Sequence, residues 1–169
     1  DPFEPVSDTG PVRIVPRGKV EPGWLPVIDG ELSDGTRVTV VHEDTEDVRD
    51  AAVLDAVLNN ADRKGSHLVR DEQGTLWGFD HGLTFHAEPK LRTVLWGWAG
   101  QPLRQSDLDR LAELARRLAD ESDSLSVELA TLLPEEDRAA LGDRVRRLVA
   151  RGIHPRPSGG WPSIPWPAI

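Results

Sequence analysis

Proline decides where this chain can be regular. Pro16, Pro22 and Pro26 break any helix in the first 26 residues, and Pro162, Pro165 and Pro167 forbid one at the C-terminal end. Residues 1–26, rich in Pro and Gly, read as a segment leading into the domain or as a linker, with a short strand over Val12-Arg13-Ile14-Val15. The domain itself is expected over residues 27–169, and its segment 154–169 reads as a Trp/Pro tail that docks by burying Trp161 and Trp166. Between the two proline-rich ends the pattern changes. Leu25–Ile28 and Arg37–Val41 flank a turn at Asp34-Gly35 and predict a hairpin. Glu46–Asn59 has helical spacing with apolar residues on more than one face, which places it centrally. Leu68–Arg70 and Thr75–Phe79 read as short strands joined by a turn at Asp71–Gly74. Helices are expected from Ser106, with Asp109 completing a capping box, over Leu125–Leu133, and from Pro134 to a stop at Gly152. The fold class that follows is α+β, mostly helical, with a small β-hairpin.

Composition narrows the function. The chain has 169 residues, with Lys+Arg 20 against Asp+Glu 29, a net charge of −9. That balance argues against a dedicated nucleic-acid binder, which shows a basic face. It leaves room for one cationic phosphate pocket. With no Cys, disulfides, thiolate metal sites and cysteine nucleophiles are excluded. No apolar run is long enough to cross a membrane. The opening Asp1-Pro2-Phe3 has no leader pattern, and there is no Met, so the chain is expected to be part of a longer or trimmed cytoplasmic protein.

The polar residues concentrate between Asn59 and His86. Asp62 follows the central helix, and Asp80 follows the second hairpin strand, so a loop, two strands and a second loop bring both to one end of a ribbon. The order helix, Asp-x-Lys, hairpin, Asp-x-Gly suits phosphoryl transfer. In that reading Asp62 orients an acceptor hydroxyl and takes its proton. Lys64 neutralises charge on the moving phosphate, and Asp80 binds the metal that bridges the phosphates.

Asn60-Ala61-Asp62-Arg63-Lys64-Gly65-Ser66-His67 resembles the catalytic loop of phosphatidylinositol 3-/4-kinases. Phe79-Asp80-His81-Gly82-Leu83-Thr84-Phe85 resembles the metal loop of the type II phosphatidylinositol 4-kinases. With Lys90–Trp98 and the Trp-Pro tail, roughly residues 24–169 resemble an actinobacterial family distantly related to those kinases. The resemblance implies a protein-kinase-like C-terminal lobe and an ATP- and metal-dependent phosphotransferase. Asp62 and Lys64 would be catalytic. Lys64, Ser66 and His67 would contact the nucleotide, and Asp80 with His67 would hold Mg²⁺ or Mn²⁺. His67 stands where the kinases have Asn. Either the metal differs, or His67 bonds a phosphate, or a second metal site is gone. No Gly-rich nucleotide loop precedes Asp62, and Lys19 is the sole lysine before it, so the covering N-terminal lobe would lie upstream as a partner. The phosphoryl acceptor is open: a lipid headgroup, a small polyol or a protein side chain.

Plainer readings stand beside these. A non-catalytic pseudokinase or interaction module accommodates the His67 departure and the missing lobe. Asp55 reads as a support for the loop or a solvated helix acid. His42 and His154 read as surface residues, and Glu43–Asp50 as a solvated first helical turn. Trp96 and Trp98 read as core, and Arg144–Arg151 as a solvated helix face.

Overall fold

The computed structural model describes residues 10–169. The expectations for residues 1–9, including the Asp1-Pro2-Phe3 opening, lie outside the described residues. Among the described residues the architecture is α+β: four α-helices and two small antiparallel sheets. Strands β1 (Val12–Pro16), β2 (Trp24–Glu31) and β3 (Arg37–Glu43) form one sheet in the order β1-β3-β2. β1 lies within the 1–26 segment, and β2 begins before residue 26, so the sheet spans that boundary. Val12 faces His42 across the ladder, and Ile14 faces Val40. Pro26 is tolerated because β2 is an edge strand and its register shifts between Pro26 and Ile28. The central strand β3 is the buried one: Val38, Thr39, Val40, Val41 and His42 are all enclosed.

Helix α1 (Glu46–Leu58) ends at Asn59, whose φ of 55° is left-handed and stops the helix. Its apolar residues serve two cores. Val48 and Ala52 pack with Val12, Val40, Leu68, Val94 and Trp98 beneath the sheet. Val57 packs with Leu103, Leu111, Leu141 and Val145 among the helices. This is the physical meaning of a helix apolar on more than one face. β4 (Leu68–Arg70) and β5 (Leu76–Gly78) form the second sheet. Helices α2 (Gln105–Ala119), α3 (Ser124–Leu132) and α4 (Glu135–Arg151) complete the chain's last third.

Several local details differ from expectation. The start of α2 is secured by Arg104 and Asp107 rather than Ser106 and Asp109: the Arg104 N–H donates to Asp107 Oδ2 at 3.3 Å. Pro134 is the cap of α4, one residue before its first turn, and Gly152 at φ 62° ends it. The Glu43–Asp50 stretch is not simply solvated. Arg70 of β4 bonds Glu43 at 2.6 Å and Asp47 at 2.7 Å, and its guanidinium lowers the Asp47 carboxyl to about 2. Trp98 Nε1–H donates to Asp44 at 3.0 Å.

His42 and His154 are buried, at 0 % and 3 % exposure, against the surface reading. Both lie against Trp98, with ring centroids 4.5 Å and 6.0 Å away. His42 Nε2 accepts from the Gly97 N–H at 3.0 Å, and His154 Nε2 accepts from Arg49 Nε at 3.1 Å. Both rings are therefore held in a neutral, accepting form. In segment 154–169 the tryptophans Trp161 and Trp166 are 36 % and 63 % exposed. Ala168, Ile164 and Ile169 pack on the sheet core instead.

Candidate functional site

The site is built around the end of α1. Asn59 turns the chain, and its side chain fixes the neighbouring loop by donating to the carbonyls of His86 at 2.8 Å and Glu88 at 2.7 Å. Behind the loop lies a buried ion pair that the sequence reading did not identify. Asp55 and Arg63 are 0 % and 1 % exposed, and Arg63 Nη2 meets Asp55 Oδ1 at 2.9 Å. Arg63 Nε also donates to both Asp55 oxygens at 3.1 Å. Asn60 Nδ2 at 2.9 Å and Thr93 Oγ1 at 3.2 Å complete the carboxylate's shell. Charges this deeply buried persist only with such full pairing.

Arg63 carries this anchorage across to the second loop. Its Nη1 donates to the Phe79 carbonyl at 3.0 Å, and its Nη2 meets His81 Nε2 at 2.8 Å. The residue before Asp80 and the residue after it are thus both held by one guanidinium. Backbone bonds tighten the join: Phe79 N–H to the His67 carbonyl at 3.1 Å, and Ala61 N–H to Leu83 O at 2.9 Å. Asp80 itself has φ 57°. A left-handed aspartate is uncommon, and such backbone gathers where a side chain must be presented.

The structure places the expected residues in two pairs, Asp62 with Lys64 and His67 with Asp80. Asp62 and Lys64 form an ion pair at 3.1 Å, both about one-quarter exposed, and Arg92 approaches Asp62 at 3.5 Å. The Asp62 N–H donates to Asn60 Oδ1 at 3.0 Å, so the loop conformation is set by the asparagine. His67 Nε2 lies 3.5 Å from Asp80 Oδ2. The His67 ring feels the charges of Asp80, Lys64, Arg63 and Asp62 together. Burial lowers its proton affinity below the ordinary imidazole value, Lys64 and Arg63 push the same way, and the two aspartates oppose them. Ser66 sits in a single 3-10 turn (Gly65–His67), and its hydroxyl bonds no group among the described residues. The Asp80 side chain is 62 % exposed.

Two donors, His67 and Asp80, therefore stand close enough to share a cation. Among the described residues, no three His, Asp or Glu side chains converge to hold a metal by protein ligands alone. A divalent ion on this pair would complete its shell from a ligand's oxygens or water. His81 and His86 are not part of it: His81 is engaged by Arg63, and His86 Nε2 by Lys90 Nζ at 2.9 Å. No helix among the described residues is long and apolar enough to cross a membrane.

The Asp55–Arg63 pair was legible only in part. Asp55 sits on the inward face of a helix that is otherwise Ala and Val, and an acid in such a stripe calls for a buried cation nearby.

Comparison with known proteins gives one informative likeness. Protein Rv2133c of Mycobacterium tuberculosis is 39 % identical over 166 residues, which is 98 % of this chain and 58 % of the relative. The chain thus spans less than two-thirds of the length of the curated relative it matches. No family model and no solved structure matches.

Proposed function

We propose that this chain carries the catalytic and metal loops of an ATP- and metal-dependent phosphotransferase, in a unit like the C-terminal lobe of the phosphatidylinositol 3-/4-kinases. The observation that supports it is the meeting of Asp62, Lys64 and Asp80 around His67, two pairs at 3.1 Å and 3.5 Å on one end of a hairpin. Asp62 is placed to accept a hydrogen bond, and then a proton, from an acceptor hydroxyl. Lys64, one-quarter exposed and paired with Asp62, can turn to a phosphoryl oxygen and neutralise charge there. Ser66 offers a free hydroxyl donor to the same group.

Asp80 Oδ2 and His67 Nε2 would hold the metal, whose chemistry is to bridge phosphate oxygens and offset their charge. A neutral imidazole is the ligating form, and burial keeps His67 neutral. Imidazole beside one carboxylate suits Mn²⁺ better than Mg²⁺, which prefers an all-oxygen shell. The protein longer than this chain would supply the cover over the nucleotide, and the cytoplasm is the compartment where ATP is at hand.

The test is ATP turnover by the longer protein with Mg²⁺ and with Mn²⁺. Asp62→Ala and Asp80→Asn should each abolish it. Turnover that survives both substitutions sinks the assignment. A pseudokinase is the second reading, favoured by the two cations that already occupy the Asp62 carboxylate. Calorimetry showing metal-dependent nucleotide binding without turnover would select it.

A further inference from the structure

Beside α4 lies a cavity of about 430 Å³, and none of Asp62, Lys64, Ser66, His67 or Asp80 lines it. Arg144, Arg147 and Arg151 of α4 reach it, joined by Arg156 of the tail. Spacings of three and four residues put the three helical arginines on one face. Arg104, Arg110, Arg116, Arg117 and Arg146 of the helical region are in ion pairs, whereas Arg138, also on α4, is in none with a described residue. None of the four arginines at the cavity is in an ion pair with any described residue.

Arg144 is fixed from behind. Its Nε donates to the Val57 carbonyl at 3.1 Å and its Nη1 to the His86 carbonyl at 3.2 Å. Its Nη2 is buried with no partner. Burial and the adjacent charge of Arg147 weaken its hold on its proton, and Asp137 opposes them. The rest of the wall is mostly apolar, with Trp96, Leu91 and Ile153 beside the polar Asn59, His154 and Ser158. The Trp96 indole N–H is taken by the Ser163 carbonyl at 2.9 Å, so the ring has only its apolar surface left to offer. A concave apolar surface with a few convergent polar groups is the general form of a small-molecule site.

We propose that this cavity binds a phosphorylated small molecule with an apolar body. Four guanidiniums exceed what one carboxylate can neutralise, whereas a phosphate monoester carries nearly two charges and three acceptor oxygens that match their fork geometry. The site stands apart from the phosphotransferase reading and survives its failure.

The experiment titrates this chain with phenyl phosphate, inorganic phosphate, benzoate and benzyl alcohol, following the Trp96 indole N–H by heteronuclear NMR. Phenyl phosphate should bind saturably with a Kd at or below about 1 mM. Inorganic phosphate, benzoate and benzyl alcohol should each bind at least about tenfold more weakly. Arg147 and Arg151 are exposed, so the R147Q/R151Q double variant should fold normally and lose about tenfold in affinity. Absence of a saturable shift, or unchanged affinity in the double variant, overturns the proposal. Equal binding of inorganic phosphate removes the apolar body from it, and equal binding of benzoate removes the phosphate; either result overturns it too.

Discussion

Replacing Asp55 by Ala removes the one carboxylate that faces Arg63, Asn60 and Thr93 in the interior. Arg63, 1 % exposed, would be left with a buried charge and no counter-ion, because its remaining partners are the Phe79 carbonyl and the His81 ring. Breaking a buried pair on one side costs about 3–5 kcal/mol. For a domain of this size each kcal/mol lowers Tm by about 2–4 °C, so Asp55→Ala should lose roughly 6–20 °C. Differential scanning calorimetry and urea titration measure this directly. Asp55→Leu combined with Arg63→Met should lose less than the sum of the two single variants, because it removes both charges at once. The coupling should exceed about 1 kcal/mol. A fall in Tm below about 2 °C for Asp55→Ala, or single losses that simply add, would refute the view that this pair anchors the site loops.

Acid should weaken the fold through the buried histidines. Burial, with Arg49 nearby, lowers His154 to about 4, and burial lowers His42. The folded state therefore binds fewer protons than the unfolded one below about pH 6.5, and stability present above that pH is lost as it falls toward 4. His154 alone accounts for up to about 3 kcal/mol across that window, and His154→Gln should flatten the slope of urea midpoints between pH 7 and 5. At Gly97 a Cβ would stand 2.5 Å from both His42 Nε2 and Leu25 Cβ. Gly97→Ala should cost about 2–3 kcal/mol by calorimetry, and a loss under about 1 would show that the wall yields. Asp62→Ala and Asp80→Asn touch partly exposed groups and should change stability by about 0.5 kcal/mol or less while abolishing turnover.

What the sequence disclosed was mostly local. Helix α1 announced itself by spacing, and α4 by three acids at its start and Gly152 at its end. The hairpin of β2 and β3 followed from β-branched runs around Asp34-Gly35. What stayed hidden depends on distant partners. His42 reads as polar in a strand, and only Gly97, 55 residues on, explains its burial. Arg63 reads as a loop cation, and only the inward position of Asp55 on α1 turns it into a strut. Trp161 and Trp166 read as the buried anchors of the tail, whereas Ala168, Ile164 and Ile169 are the residues that pack on the core.

The docked tail has one more consequence. The Gly65 N–H donates to the carbonyl of Ala168 at 2.8 Å, and the Thr93 N–H to that of Ser163 at 3.1 Å. The ribosome delivers the Lys64–His67 turn roughly a hundred residues before the strip that clasps it, so during synthesis this turn must wait unfastened while the helices form. Lesions near residues 163–168, distant on a linear map, should behave in genetics as lesions of the turn itself.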